Sequence, residues 1–226
     1  MNLGYLRHLA DYSDGVLYAL ALLLLVALAV TLDRFWFLRR TILSGQRVVR
    51  EIGRQPTLGA AELETLRQRA GALPEAALLA AALSHLDLPA EALSGRLDEA
   101  IMLLAPRIDR RMWVLDTIVT LAPLLGLFGT IIGMFHAFSV LAQPGHAPTA
   151  VTAGVADALV ATASGIFIAM LGLAAFNALS DRVRIVLLQL DTVKTMVLNR
   201  LAAPDRRGAG SLAAEPKPLR AVAAGE

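Results

Sequence analysis

The sequence predicts an all-α integral membrane protein with three membrane-crossing helices, the second and third prolonged into a water-exposed helical region. Three observations predict it. Between Thr117 and Ala156 there is no Lys, Arg, Asp or Glu over 40 residues, about twice the ~20 that one helix needs to cross a bilayer. A second uncharged run, 17 residues dominated by Leu, Ala and Val, covers Val16 to Leu32. Across the 226 residues, 56% are hydrophobic and 18% charged, a greasier balance than a soluble domain of this size carries.

Composition also excludes. Cysteine is absent, so neither a disulfide framework nor a thiolate metal site is available. The formal charge of +2 is too small to argue for nucleic acid, and none is expected as a partner. No nucleophile motif, phosphate-cradling glycine loop or metal-ligand cluster occurs, so no enzyme activity, cofactor or metal is expected.

Residues 1–14 read as a polar lead-in on the outer, periplasmic side. The first span is placed at 15–37, with Phe35, Trp36 and Phe37 as an interfacial aromatic anchor. A secretory signal peptide is the other reading of this run, since Ala27 to Ala29 loosely mimics a cleavage site. A signal places its positive charge before the apolar core, however, and here Arg34, Arg39, Arg40, Arg47 and Arg50 follow it. The same asymmetry puts the amino end outside and the arginines in the cytoplasm.

Residues 38–112 have the composition of a cytoplasmic helical domain. Apolar residues recur at helical spacing in Ser44 to Ala70 and Pro74 to Leu86, interrupted by Gly53, Pro56, Gly71 and Pro89, which predicts several short helices. Pro89 and Glu91 suit the first turn of a longer helix, with proline tolerated early and acid near the positive end of the dipole. Its stripe is Leu93, Leu97, Ile101, Leu104 and Ile108. This helix is expected to run on through Trp113 into the membrane.

The second span is placed at 113–141, a loop at 142–151 and the third span at 152–180. Arg107, Arg110 and Arg111 precede the pair and Arg182 and Arg184 follow it, while the loop carries no charge. All three spans therefore share one topology, amino end out and carboxyl end in. Residues 181–201 stay amphipathic and extend the third helix into the cytoplasm. Residues 202–226, rich in Pro, Gly and Ala with scattered charge, read as a tail without structure.

Gly129 and Gly133 form a GxxxG pair with Gly126 one turn earlier, and the third span offers Ala158, Thr162, Gly165, Ala169 and Gly172. In lipid no water drives helices together, so close approach over small residues is a main source of association. Packing of the second span on the third and packing between subunits are both open for these surfaces. Asp157 lies ~8 Å into the third span at 1.5 Å per residue. A carboxylate at that depth is either tied to the interface or a neighbouring helix, or belongs to an ion path in which it exists neutral or ionised according to what approaches. Ser164 lies seven residues on, on the same face, while Thr162 is rotated by about 140°. Thr130 and Thr162 bring hydroxyls that either line a polar passage or are satisfied by carbonyls of their own helix.

The run Leu121 to Phe135, with Pro123, Gly126, Gly129, Thr130 and Gly133 in a Pro-x-x-Gly-Leu-x-Gly-Thr-x-x-Gly pattern, and the run Gly154 to Gly165 resemble the two signature helices of the ExbB/TolQ/MotA proton-channel family, most closely its ExbB branch. The resemblance covers roughly Asp109 to Asp191. It implies a homopentamer in the bacterial inner membrane whose second and third helices surround a pore. A single-span ExbD/TolR-like partner would occupy that pore and pass motion to a TonB-like protein, with the proton as coupling ion. Thr130 and Thr162 take the places of the family's path-lining threonines, and Asp157 stands where ExbB usually has glutamate, shorter by one methylene. A TolQ-type role in outer-membrane constriction is the alternative inside the family, and a non-conducting membrane scaffold the alternative outside it.

Overall fold

The computed structural model describes residues 15–141 and 148–201. The lead-in 1–14, most of the expected loop at 142–151 and the tail 202–226 lie outside the described residues. Among the described residues there are six helices and no strand: α1 (Val16–Arg54), α2 (Ala60–Ala70), α3 (Pro74–Leu83), α4 (Ala90–Ile108), α5 (Met112–Leu141) and α6 (Pro148–Leu201). Three of them, α1, α5 and α6, are long and apolar enough to cross a membrane. The described residues divide into two compact units, 15–42 with 105–141 and 148–186, and 43–104 with 187–201.

The first unit differs from a water-soluble bundle in its exterior, which is apolar as well as its interior. Small residues line the α5–α6 contact, where Ala122, Ala137, Ala158 and Ala161 are buried with Gly126, Gly129, Gly133 and Gly165, and larger side chains such as Leu20, Leu115, Ile118 and Leu179 are buried around them. Large apolar side chains point outward, with Leu25 at 66%, Phe135 at 70% and Trp36 at 75% exposure. In water such an apolar surface would be an aggregation hazard, whereas in lipid it costs nothing and leaves close backbone approach to hold the helices. At one end, the Arg182 guanidinium stacks 4.0 Å over the Phe35 ring, tying α6 to α1.

Three boundaries differ from the sequence expectation. Residues 148–151, expected in the loop at 142–151, are already helical, since α6 begins at Pro148, where proline is tolerated in the first turn. The first helix does not end where its apolar run ends: α1 continues without a break to Arg54, because the residues after Trp36 keep an apolar face, with Leu38, Val48 and Ile52 buried. The helix expected to run from Pro89 through Trp113 is interrupted instead. It stops at Ile108 and restarts at Met112, and Arg111 adopts a left-handed φ of 70°. Buried Arg34 explains the break, since its Nη2 donates to the Ile108 carbonyl. A carbonyl at a helix end has no partner inside its helix, and a guanidinium satisfies it. Arg111 Nη1 also reaches Asp33 Oδ2 at 2.8 Å.

The second unit is packed in the ordinary sense. Its interior holds Val48, Ile52, Leu63, Leu66, Leu78, Leu79, Leu97, Leu190 and Val193. The expected stripe on α4 holds at Leu93, Leu97, Leu104 and Ile108, with Ile101 half-buried. Helix α2 starts with the Gly59 N–H donating to Glu62 Oε2 at 2.9 Å, and it stops at Gly71, whose φ of 58° suits a residue without Cβ. Arg200 closes the end of α6 onto α1, its Nε donating to the Gln55 carbonyl at 2.7 Å.

Candidate functional site

The α5–α6 face is built by absence of side chain. A Cβ on Gly126 would stand 2.8 Å from the Ala161 carbonyl oxygen and 3.0 Å from Thr162 Cα. One on Gly133 would stand 2.7 Å from Ala158 Cβ, and one on Gly129 would meet both Ala161 of α6 and Val16 of α1. From the other side, Gly165 faces the Ala122 carbonyl and Gly126 Cα. The GxxxG surface is thus occupied within the chain, between α5 and α6. Pro123, half-buried inside α5, has no N–H to give back to its helix, which leaves the Val119 carbonyl without that partner.

This close approach brings two hydroxyls together in an otherwise apolar contact. Thr130 Oγ1 and Thr162 Oγ1 are 3.1 Å apart. Each also lies beside a carbonyl of α5: Thr130 Oγ1 is 2.6 Å from the Leu127 oxygen, and Thr162 Oγ1 is 2.9 Å from the Gly126 oxygen. Three contacts share two hydroxyl protons. Either Thr130 donates to Thr162 and Thr162 to Gly126, or Thr162 donates to Thr130 and Thr130 to Leu127. A hydroxyl carries one donor and two acceptor sites, so both directions are legal and turning the two O–H bonds exchanges them. Such a pair can relay a proton or orient an ion's water without carrying charge.

Asp157 and Ser164 are placed elsewhere. The buried stripe of α6 runs through Gly154, Ala158, Ala161, Gly165, Ile168 and Gly172. Asp157 and Ser164 are half-buried along one edge of that stripe, and Thr162 lies half-buried along the other. Within one chain, therefore, the structure joins Thr162 to Thr130 and leaves the acid and Ser164 on the opposite edge. Among the described residues no cluster of His, Asp and Glu is arranged to hold a metal.

Sequence reasoning passed over several buried polar groups, among them Arg34, Glu75 and Gln189. Arg34 reads in the sequence only as one of the positive charges that orient the first span, yet it caps α4. Gln189 interrupts the apolar series Val183, Val186, Leu190, Val193 and Val197, all buried. That polar residue on an apolar face was the available signal for the cluster it forms with Glu75.

Residues 71–192, more than half of the chain and including α5, the Thr130–Thr162 pair and most of α6, match the sequence profile of the MotA/TolQ/ExbB proton channel family. The chain belongs to this family. Among curated members it is 40% identical over 88 residues to a biopolymer transport protein ExbB of Neisseria gonorrhoeae, covering 38% of this chain and 40% of that one. It is 29% identical over 179 residues to a putative ExbB-like protein of Synechocystis, covering 76% and 70% of the two chains. A Tol-Pal system protein TolQ of Haemophilus influenzae is 42% identical over 77 residues, 34% of each chain. The aligned stretch thus spans about two-fifths of the Neisseria relative's length. As a member of a membrane proton channel family, the chain has a ready reading for its exterior of large apolar side chains: it meets lipid.

Proposed function

We propose that this chain is the ring-forming subunit of a proton-driven energiser in the bacterial inner membrane. Five copies would surround a passage occupied by a single-span ExbD/TolR-like partner, with the amino end periplasmic and the carboxyl end cytoplasmic. Protons passing the ring would drive movement of that partner, which acts on a TonB-like protein to energise outer-membrane transport. The observation that carries the reading is the reversible hydroxyl pair of Thr130 and Thr162, which face each other 3.1 Å apart across the α5–α6 contact. A proton moved through the full membrane potential releases ~2.3 kcal/mol per 100 mV, enough to bias a rotation made of small steps.

The edge position of Asp157 and Ser164 supports an assembly. A residue on one edge of the α6 stripe meets a residue on the other edge only when a neighbouring copy supplies it. In that arrangement Asp157 of one subunit holds or attracts the ion near the outer end, and the threonine pair passes it inward. The similarity to TolQ of Haemophilus supports a second reading within the family, in which the same ring energises outer-membrane constriction. A purely structural scaffold has less support, since the glycine surface it would use between copies is occupied inside the chain.

The test is co-purification with an ExbD-like protein from the same organism, followed by native mass determination and a proton-flux assay in proteoliposomes. A pentamer with partner, whose flux falls at least tenfold in an Asp157→Asn, Thr162→Ala double variant that still assembles, is the expected result. Unchanged flux in an assembled double variant overturns the path, and a monomer overturns the ring.

A further inference from the structure

The second unit buries an acid that the membrane passage does not use. Glu75, second residue of α3, is 0% exposed, and neither of its carboxyl oxygens has a hydrogen-bond partner. Gln189 of α6, 9% exposed, presents an amide nitrogen that is likewise buried and unpartnered. Both side-chain ends crowd over Gly45 of α1, where a Cβ would overlap Glu75 Oε1 and Gln189 Nε2. Three helices therefore meet at a carboxyl, an amide and a deliberate gap.

The surrounding charges are turned away or engaged. On α1, Arg47 and Arg50 are exposed, and Glu51 pairs with Arg69 of α2 at 3.4 Å. On α2, Arg67 holds Glu64 at 2.5 Å, and Glu62 accepts from the Gly59 N–H. On α6, Asp191 is exposed and Lys194 is bonded to Asp98 of α4, where Arg96 pairs with Glu99. On α3 itself, His85, just past the helix end, bonds the Ala81 carbonyl through Nδ1 at 2.9 Å. Among the described residues no cation makes an ion pair with Glu75. An ionised carboxylate in such a place is strongly disfavoured, whereas the neutral acid carries no charge and its carbonyl oxygen is an acceptor for the Gln189 amide nitrogen beside it.

We propose that Glu75 is a proton-binding site, held as the neutral carboxylic acid against the Gln189 amide, and that losing this proton loosens the contact of α3 with α1 and α6. Burial raises the affinity of the carboxyl for its proton above the ordinary glutamate value. Its own amide N–H, one of the free donors at the start of α3, favours the charged form and is outweighed. The linkage sign follows from a folded-state affinity above that of the unfolded chain. Stability from this group is complete at pH below the ordinary carboxylate range and is lost as pH rises through the raised value. The ligand is a proton rather than a metal, because one carboxyl and one amide give too few oxygens to replace a cation's water.

Hydrogen–deuterium exchange of α3 amides in the full-length chain in lipid nanodiscs tests this. After correction for intrinsic exchange, protection in the native chain is expected to fall by up to about tenfold per pH unit above the ordinary carboxylate range. Glu75→Gln should hold protection level. The same fall in Glu75→Gln overturns the proposal, pointing to His85 or a surface charge instead. A protection that follows sodium concentration at fixed pH also overturns it, in favour of a bound cation. Should Glu75→Gln fail to fold, infrared spectroscopy of Asp157→Asn decides: a protonated-carboxyl band that persists at neutral pH and disappears on alkalinisation is expected, and no such band at neutral pH overturns the site.

Discussion

The hydroxyl of Thr130 lies 3.1 Å from that of Thr162 across the α5–α6 contact, and two protons there serve three acceptor directions. The pair is held by backbone, since its outer acceptors are the Leu127 and Gly126 carbonyls. Thr162→Ser keeps the hydroxyl and is expected to keep proton flux within about twofold. Thr162→Val keeps the shape and removes the relay, leaving Thr130 with Leu127 alone. Its flux should fall at least tenfold while stability drops by only about 1 kcal/mol, the net worth of a neutral hydrogen bond. Flux in proteoliposomes and thermal unfolding in detergent, measured on both variants, separate the relay from a packing role; equal flux in Ser and Val variants refutes the relay.

The glycines make a prediction of position. A Cβ at Gly165 meets the Ala122 carbonyl and Gly126 Cα, which are backbone and cannot turn aside. At Gly53 the nearest atom is the end of the Met196 side chain at 3.5 Å, an ordinary contact. Gly165→Ala should therefore cost about 1–3 kcal/mol as an overpacked core does. Gly53→Ala, inside the helix, should be neutral or stabilising by up to about 1 kcal/mol, since alanine forms helix better. Thermal midpoints of the two variants side by side check the contrast, and equal shifts would contradict the packing described.

Much of the membrane half could be read in advance because lipid leaves few choices. A 40-residue stretch without charge has to be helical where it crosses lipid, for unsatisfied backbone groups have no water there. Small residues at three and four residue spacing then mark the contact faces, and Thr130 sits among them. What could not be read depends on atoms far apart in the chain. The break between α4 and α5 requires Arg34, 74 residues before Ile108, to donate to the end of a helix, and no local propensity at Asp109 to Arg111 announces it. The Glu75 cluster joins Gly45, Glu75 and Gln189 from three helices, each unremarkable in its own segment. Separation of Asp157 from Thr162 was legible, as a rotation about one helix; which side meets a neighbour depends on assembly.

Gly45 yields a further expectation. Its missing Cβ is where the Glu75 carboxyl and Gln189 amide sit, so Gly45→Ala must expel at least one of them from a buried site. The exposed Gly95 of α4 has nothing within 4 Å of its Cβ position. Gly45→Ala should destabilise by about 1–3 kcal/mol, whereas Gly95→Ala should stabilise by up to about 1 kcal/mol. Circular dichroism melts of both variants read the difference, and a neutral Gly45→Ala would mean that the three helices do not meet as described.

Arg34 and Arg111 both act at the break after Ile108, and their substitutions should diverge. Arg34 is 4% exposed and donates to a backbone carbonyl; Arg34→Met keeps the aliphatic reach and strands that carbonyl. The loss of a charged hydrogen bond to a buried acceptor is about 1.5–3 kcal/mol. Arg111 is the contrary case. Its pair with Asp33 is about half exposed on each side, worth at most about 1 kcal/mol, and its φ of 70° costs a non-glycine residue about 1–2 kcal/mol. Arg111→Gly removes the pair and the strain together, against roughly 0.5–1 kcal/mol of added chain entropy, so it should lie within about 1 kcal/mol of the native chain. Melting of the two variants under one condition checks the order: Arg34→Met well below the native chain, Arg111→Gly close to it. If Arg111→Gly fell as far as Arg34→Met, the turn would be held by the exposed pair rather than by the buried guanidinium.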